Sequence, residues 1–449
     1  MKTERPTGML GFTIVCVGQA VSLLGTAMTG FGLTLWAYQI TGKATPLALI
    51  GLCWGLPYVA LSPFVGVLVD RGSRKLMMML SDLSAAGTTL IVAILYATDS
   101  LQIWHLYLTA AISGIFQGFQ WPAYSAAMSV MLPKEQYTRA NGMLGAVGSG
   151  SGILGPMLAG ALIGPLRLTG LLGIDLLSAV VAVGTLLLVH IPQPASSETG
   201  RRGRGSFLQE AAYGFRYILD RPTLLGLQSV FMVGNFFLNL AFVLLSPMIL
   251  GRTGSDELVL GSVRSAGAIG GLMGGLLMAA WGGPKRRVKG VLMGWSCIGV
   301  LGCTVVGLGQ ALPVWVSGTF LANVFGAMID SSNQAIWQAK VPPEVQGRVF
   351  SVRRLIALLI APVSQVLAGP LADWVLEPAM AEDGRLVSLF GWLVGTGTGA
   401  GMALLFLFCG LLVTMAGLSG YLIPATRNVE HVLPDHDAAV DGSHRPVEA

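Results

Sequence analysis

Charge is scarce in this sequence. Asp, Glu, Lys and Arg make up 11% of its 449 residues, against about 25% in an ordinary soluble domain. So few charges cannot cover the surface of a water-soluble fold of this length. Histidine and cysteine are also sparse, with five of each. No histidines are paired at metal-ligand spacing, and neither H-E-x-x-H nor G-x-S-x-G occurs, which argues against an intramembrane enzyme. The phosphate-cradling G-x-x-x-x-G-K-[ST] is missing too, which argues against an ATP-driven pump. Cys16, Cys53, Cys297, Cys303 and Cys409 lie inside apolar blocks, odd in number and without zinc or redox spacing, and read as small hydrophobes. The polar segments are too short for a sensory domain. No metal, cofactor or nucleic-acid partner is expected.

Long apolar blocks are present instead. Hydrophobic residues reach 53% and mean hydropathy is +0.70. A crossing needs about 20 apolar residues, and twelve blocks meet that: 11–38, 46–69, 76–97, 104–131, 140–164 and 169–190, then 223–250, 258–282, 289–309, 313–340, 348–375 and 396–423. The 61 glycines show no three-residue period and suit close helix packing in lipid. The first block lacks a small-residue cleavage site and reads as a retained helix. The expectation is an all-α integral membrane protein: a six-helix bundle over 1–192, a linker over 193–222, a second bundle over 223–424 and a polar, mobile tail over 425–449. The linker holds Arg201-Arg202-Gly203-Arg204-Gly205. Its later part places Phe207, Leu208, Ala211, Phe215 and Ile218 on one face of a helix expected to lie on the membrane surface.

Basic residues alternate with the spans. With the N-terminus inside, 22 of the 27 lysines and arginines fall on the inner loops and their flanks, leaving Lys43, Arg167, Arg252, Arg264 and Arg385 outside. The positive-inside rule then puts both termini in the cytoplasm of a cell with this chain in its inner membrane. A shift of 209 residues superposes one half on the other: Pro133 on Pro342, Glu135 on Glu344, Arg139 on Arg348, Gly66 on Gly275, and Leu158-Ala159-Gly160 on Leu367-Ala368-Gly369. Parallel repeats of this kind are a transporter architecture with the substrate site near the midplane.

The loop after the second span, Gly66-Val-Leu-Val-Asp70-Arg71-Gly72-Ser73-Arg74-Lys75, resembles the G-x-x-x-D-R-x-x-R-K signature of the major facilitator superfamily. The second copy has Ala279 where Asp70 maps. Gly152, Gly155, Pro156 and Gly160 in the fifth span resemble that superfamily's antiporter motif, where proline and glycines permit a bend. Pro122-Ala-Tyr-Ser-Ala-Ala, Arg139-Ala-Asn-Gly142, Gln334-Ala-Ile-Trp337-Gln338 and Gln346-Gly-Arg-Val-Phe350 are similar to the macrolide-efflux and enterobactin-exporter branch. Many drug/proton antiporters carry an arginine three residues before a Gln-Gly pair in helix 4; here Gln117-Gly118 follows Gly114.

The resemblance implies a cavity lined by the first, fourth, seventh and tenth spans. Polar residues recur there at helical spacing: Gln19, Ser22, Thr26 and Thr29; Ser113, Gln117, Gln120 and Tyr124; Gln228, Asn235 and Asn239; Asn323, Asp330, Gln334 and Trp337. Such stripes either line a cavity or join helices to one another. Trp36, Trp121, Phe231 and Phe236 are aromatic candidates for an apolar substrate; His105 and His190 sit at span ends in interfacial roles. Three acids interrupt the spans, and such residues are paired or functional. Asp330 is the leading proton or cation site. Asp82 is a second candidate or a partner for a basic loop, and Asp175 a third or a packing residue. Asp70, Arg71, Arg74, Glu135, Arg139, Glu344 and Arg348 are expected to cluster as a lock between the halves, or else only to fix topology. The implied function is proton-coupled export of amphipathic small molecules by a monomer; an importer or lipid flippase is the alternative.

Overall fold

The computed structural model describes residues 6–41, 44–193, 207–254 and 256–436. In hydrocarbon every backbone N–H and C=O must be satisfied within the chain, and helices do this segment by segment. The described residues accordingly form α1 (Gly8–Thr41), α2 (Ala44–Arg71), α3 (Arg74–Ala97), α4 (Ile103–Met131), α5 (Tyr137–Leu188), α6 (Phe207–Leu219), α7 (Pro222–Val243), α8 (Leu245–Thr253), α9 (Glu257–Trp281), α10 (Arg287–Cys297), α11 (Leu312–Lys340), α12 (Gln346–Pro370) and α13 (Ala400–Leu422). Ser73 caps α3 by accepting from the Leu76 amide, and the His105 ring accepts from Gln102 N–H at the start of α4.

Among the described residues eight helices are long and apolar enough to span a membrane, nine with the bent α2. α2 bends by 63° between Leu49–Ser62 and Phe64–Arg71, where residue 63 is a proline without an amide to donate. The stretch from Lys134 to Leu188 is 55 residues long, enough for two crossings. Its break is at Arg167, which takes φ +56°. Counting its two arms separately, and adding α4 and α12, whose glutamines and arginines lower their hydropathy, gives the twelve crossings expected. At Pro156 the backbone keeps helical dihedrals, and the break in the helix comes eleven residues later.

In the first bundle α1 and α3 pack along α5, and α2 along α4; in the second, α9 and α10 pack on α11, and α7 on α12 and α13. The bundles meet through α2 against α12 and α5 against α9. Gly66 and Gly275, one repeat apart, make both contacts possible. A Cβ on Gly66 would lie 2.4 Å from Gly347 O, and one on Gly275 would lie 2.5 Å from Ala146 N.

α6 is helical as expected but not simply laid on the lipid surface. Glu210 (1% exposed), Tyr217 and Ile218 are buried, and the helix packs against α12, α2 and α7, with Phe215 facing outward. The arginine run 201–205 and the side chains of Phe207, Leu208 and Ala211 lie outside the described residues. The tail expected to be mobile is docked as far as residue 436, with Thr426 and Val429 fully buried.

Candidate functional site

A cavity of about 600 Å³ opens between the bundles. Its walls come from α4 (Trp121), α5 (Asn141, Ser149), α7 (Gln228, Phe231), α9 (Gly271), α11 (Asn323, Asp330, Gln334) and α12 (Arg353, Arg354). Asp330 is exposed on the lumen, where it makes no hydrogen bond or ion pair among the described residues. Of the expected lining residues, Trp121, Asp330 and Gln334 are in this wall, as are Gln228, Asn323 and Phe231.

The rest of the expected set is used elsewhere, because buried polar groups find partners nearby. Asp82 accepts from Gln19 Nε2 (2.7 Å) and Gln120 Nε2 (3.1 Å), and Gln120 also donates to Gln19 Oε1 (2.6 Å). This amide pair, not a basic loop, satisfies Asp82 and keeps the stripe of α1 out of the lining. Gln117 accepts from Ser81 at 3.4 Å. Thr26 and Thr89 donate to Asp175 at 3.0 and 2.7 Å, tying α1, α3 and α5 together. Ser22 is half-buried outside the lining. Tyr124 stacks on Phe12 in the core of the first bundle. Asn235 and Asn239 donate back to carbonyls of their own helix. Trp337 is fully buried, with its indole beneath the Arg353 guanidinium at 4.2 Å. In the helix-5 motif Gly155 packs on Ala27, whereas Gly152 and Gly160 face open space and Pro156 is half-buried.

One end of the cavity is shut by the arginine-rich face. Asp70 accepts from the amides of Gly347 (2.7 Å) and Arg348 (3.0 Å) at the start of α12, and from Arg348 Nε (3.0 Å). Both side chains of that pair are nearly inaccessible. Arg71 donates to both oxygens of Glu210, whose carboxylate also lies 3.6 Å from Arg348 Nη1. Arg74 donates to the carbonyls of Ala126 in one bundle and Pro343 in the other. Deeper in, Ser125 holds Gln334 and Gln338, Ser129 donates to Gln346, and Asn141 donates to Gln338. Not all of the residues expected in the lock join these contacts: among the described residues Glu135 and Arg139 are exposed without side-chain partners, and the Glu344 carboxylate has a buried, unbonded oxygen. In the turn that turns Glu135 outward, Lys134 points inward to Asp435 at 2.8 Å.

Sequence reasoning missed Arg353, Arg354 and Glu210. The signal was present for the first two: adjacent arginines five residues into a span stand out in hydrocarbon, but they had been counted with the inner flank. The fit of Gly114 also emerges only in three dimensions. A Cβ there would lie 2.1 Å from Trp54 O, so the antiporter arginine has no room in this packing.

Two parallel bundles around a central polar cavity define a membrane transporter. The Major Facilitator Superfamily profile matches residues 15–364, and the chain belongs to that superfamily. It is similar to macrolide efflux protein A of Streptococcus pyogenes, with 30% identity over 382 residues covering 81% of this chain and 90% of that one. It is also similar to the multidrug efflux pump Tap of Mycolicibacterium fortuitum, 27% identical over 78% and 87% of the two chains. Among solved structures it resembles a bacterial homologue of the iron transporter ferroportin in the outward-facing state (TM-score 0.65, 16% identity, 91% of this chain and 98% of that one). It also resembles the E. coli fucose:proton symporter (TM-score 0.62, 12% identity, 92% and 99%). At these identities the structures speak for the fold alone.

Proposed function

We propose that the chain is a secondary exporter of amphipathic small molecules, driven by proton entry. The observation that carries this is the cavity of about 600 Å³ between the bundles, with an ionisable carboxylate, Asp330, on its lumen and one end shut by paired charges. The volume lies within the roughly 300–1,000 Å³ of small-molecule sites. Trp121 and Phe231 offer apolar surface, and the amides of Gln228, Asn323 and Gln334 offer polar contacts. The efflux relatives support the direction of transport. In this reading residues 1–192 and 223–424 rock about the cavity as two bodies, joined by the linker 193–222 and steadied by the tail 425–449. The arginine-rich face and both termini lie in the cytoplasm, the closed lock marks the state open to the outside, and a monomer suffices. Protonation of Asp330 from outside and release inside would alternate with substrate binding. Asp82 and Asp175, already bonded to amides and hydroxyls, would serve structure first.

In everted membrane vesicles an imposed proton gradient should drive uptake of a fluorescent amphiphile, and an uncoupler should abolish it. Uptake confined to right-side-out vesicles would refute export. A lipid flippase is the second reading, favoured by an apolar crevice of about 460 Å³ lined by Met232, Phe236 and Phe237 of α7 and Ile356, Leu359 and Val363 of α12. Translocation of a fluorescent phospholipid by reconstituted protein would support that reading.

A further inference from the structure

Arg353 is a buried charged group of the cavity wall whose donors are poorly used. A guanidinium carries five N–H donors, and among the described residues this one makes a single hydrogen bond, from Nη1 to Gln334 Oε1 at 3.0 Å. Its Nε–H is buried without an acceptor, and the residue is only 8% exposed. The rings of Trp337 and Phe350 lie 4.2 and 5.8 Å from its central carbon, so π-systems cover part of the cation without using its donors. Arg354 continues the same wall. Its Nε donates to the Tyr58 hydroxyl, and its guanidinium lies 5.6 Å from the Tyr58 ring and 5.2 Å from that of Trp121.

The lumen faces these two guanidiniums with one carboxylate among the described residues, that of Asp330, which attracts both by charge but hydrogen-bonds to neither. The amides of Gln228, Asn323, Asn333 and Gln334 are neutral, and Asp82 is turned away into its amide pair. A buried cation with an unpaired donor is costly, and a ligand that supplies the missing acceptor lowers that cost. A planar oxyanion matches the fork of an arginine.

We infer that this end of the cavity is an anion subsite, and that the transported compound carries an acidic group seated on Arg353 with its apolar body over Trp121 and Phe231. The inference rests on reading the cavity as the substrate site and narrows the substrate from any amphiphile to an acidic or zwitterionic one.

Rhodamine B and its ethyl ester share one aromatic frame and differ in a free carboxylate. Their Kd values for the purified full-length chain in phosphatidylcholine nanodiscs are measured by fluorescence anisotropy, with empty discs subtracted. The acid should bind roughly ten- to a hundredfold more tightly than the ester, the range for a charge-assisted hydrogen bond. Arg353→Gln should remove that advantage and leave the ester within about twofold of its original Kd, while Arg353→Lys keeps part of it. Trp121→Ala should weaken both dyes alike. Equal binding of acid and ester to the unaltered chain overturns the inference without any variant, as does an Arg353→Gln effect that is the same on both. If the dyes do not bind saturably, or neither Trp121→Ala nor Arg353→Gln alters either Kd, the cavity reading itself fails.

Discussion

Asp70→Asn tests whether the charge cluster holds the arginine-rich end shut. The Asp70 carboxylate accepts three hydrogen bonds from the first turn of α12, one of them from the guanidinium of Arg348, and its side chain is 1% exposed. Asparagine keeps one acceptor oxygen but turns an NH₂ toward donors and leaves Arg348 with Glu210 at 3.6 Å as its remaining ion-pair partner among the bonds described. Removing one member of a buried pair costs about 3–5 kcal/mol. With Glu210 still present the lower end applies, and about 3 kcal/mol is roughly a hundredfold in an equilibrium constant. Only the closed arrangement makes these contacts, so the full amount falls on the balance between closed and open arginine-rich faces. Spin labels at Glu135 of the first bundle and at Arg427, at the start of the tail where it packs on the second, both exposed, would report that balance by double electron–electron resonance in a cysteine-free background. A long-distance population absent or minor in the parent should become comparable to the short one. An unchanged distance distribution in a properly folded Asp70→Asn protein would refute the lock.

Three further outcomes follow from the same contacts. Asp330→Asn should abolish gradient-driven uptake and flatten its pH dependence while dye binding persists; an unchanged pH profile removes Asp330 from coupling. Gly66→Val places side-chain atoms where Gly347 O lies 2.4 Å from the Cβ position, so it should favour the open arginine-rich face and cut transport at least tenfold; wild-type transport would show that the α2–α12 approach is not needed in the cycle. Glu210→Gln should loosen closure by less than Asp70→Asn, because its bidentate partner Arg71 is half-exposed and screened; equal effects would make Glu210 the principal anchor.

The spans, their order and the basic face could all be read from the sequence, because a bilayer imposes length and hydropathy on each crossing separately. The repeat register was legible for the same reason that Gly66 and Gly275 both serve close approach: equivalent helices meet in equivalent ways. The cavity was harder to read. Helical spacing places Gln19 and Gln120 on inward faces, and inward they are, but period alone cannot distinguish a face turned to the lumen from one turned to Asp82. Arg353 and Arg354 were misread because a charge count assigns them to a flank, while the tight crossing of α2 and α12 carries them into the wall. Glu210 was hidden in a linker whose apolar residues drew attention from its single buried acid.

The two repeats join the bundles at the arginine-rich end by different physics, and the tail follows from that difference. Where the first copy has Asp70, the second has Ala279, whose amide would lie 2.6 Å from a Cβ on Gly142: close packing replaces the charge. The acids missing from that side come from the tail. Glu430 accepts from the Arg287 and Val288 amides at the start of α10, and Asp435 bridges Lys134 of the first bundle (2.8 Å) and Lys340 of the second (2.9 Å). Burial pushes the Asp435 carboxyl up, but hydrogen bonds and charge from the two lysines outweigh this and hold it below its ordinary value. The sign follows: a depressed pKa in the docked state stabilises docking above the ordinary carboxylate pKa and loses it only as pH falls through the depressed value, so the bridge stays in force near neutrality. Its side chain is 31% exposed, and screening limits the contribution to about 1 kcal/mol. Asp435→Asn should therefore shift the spin-label distances in the same direction as Asp70→Asn, by about fivefold in the equilibrium constant, with the shift alike at pH 6 and pH 8. A shift confined to one of those pH values would mean that another group, not this bridge, holds the tail between the bundles.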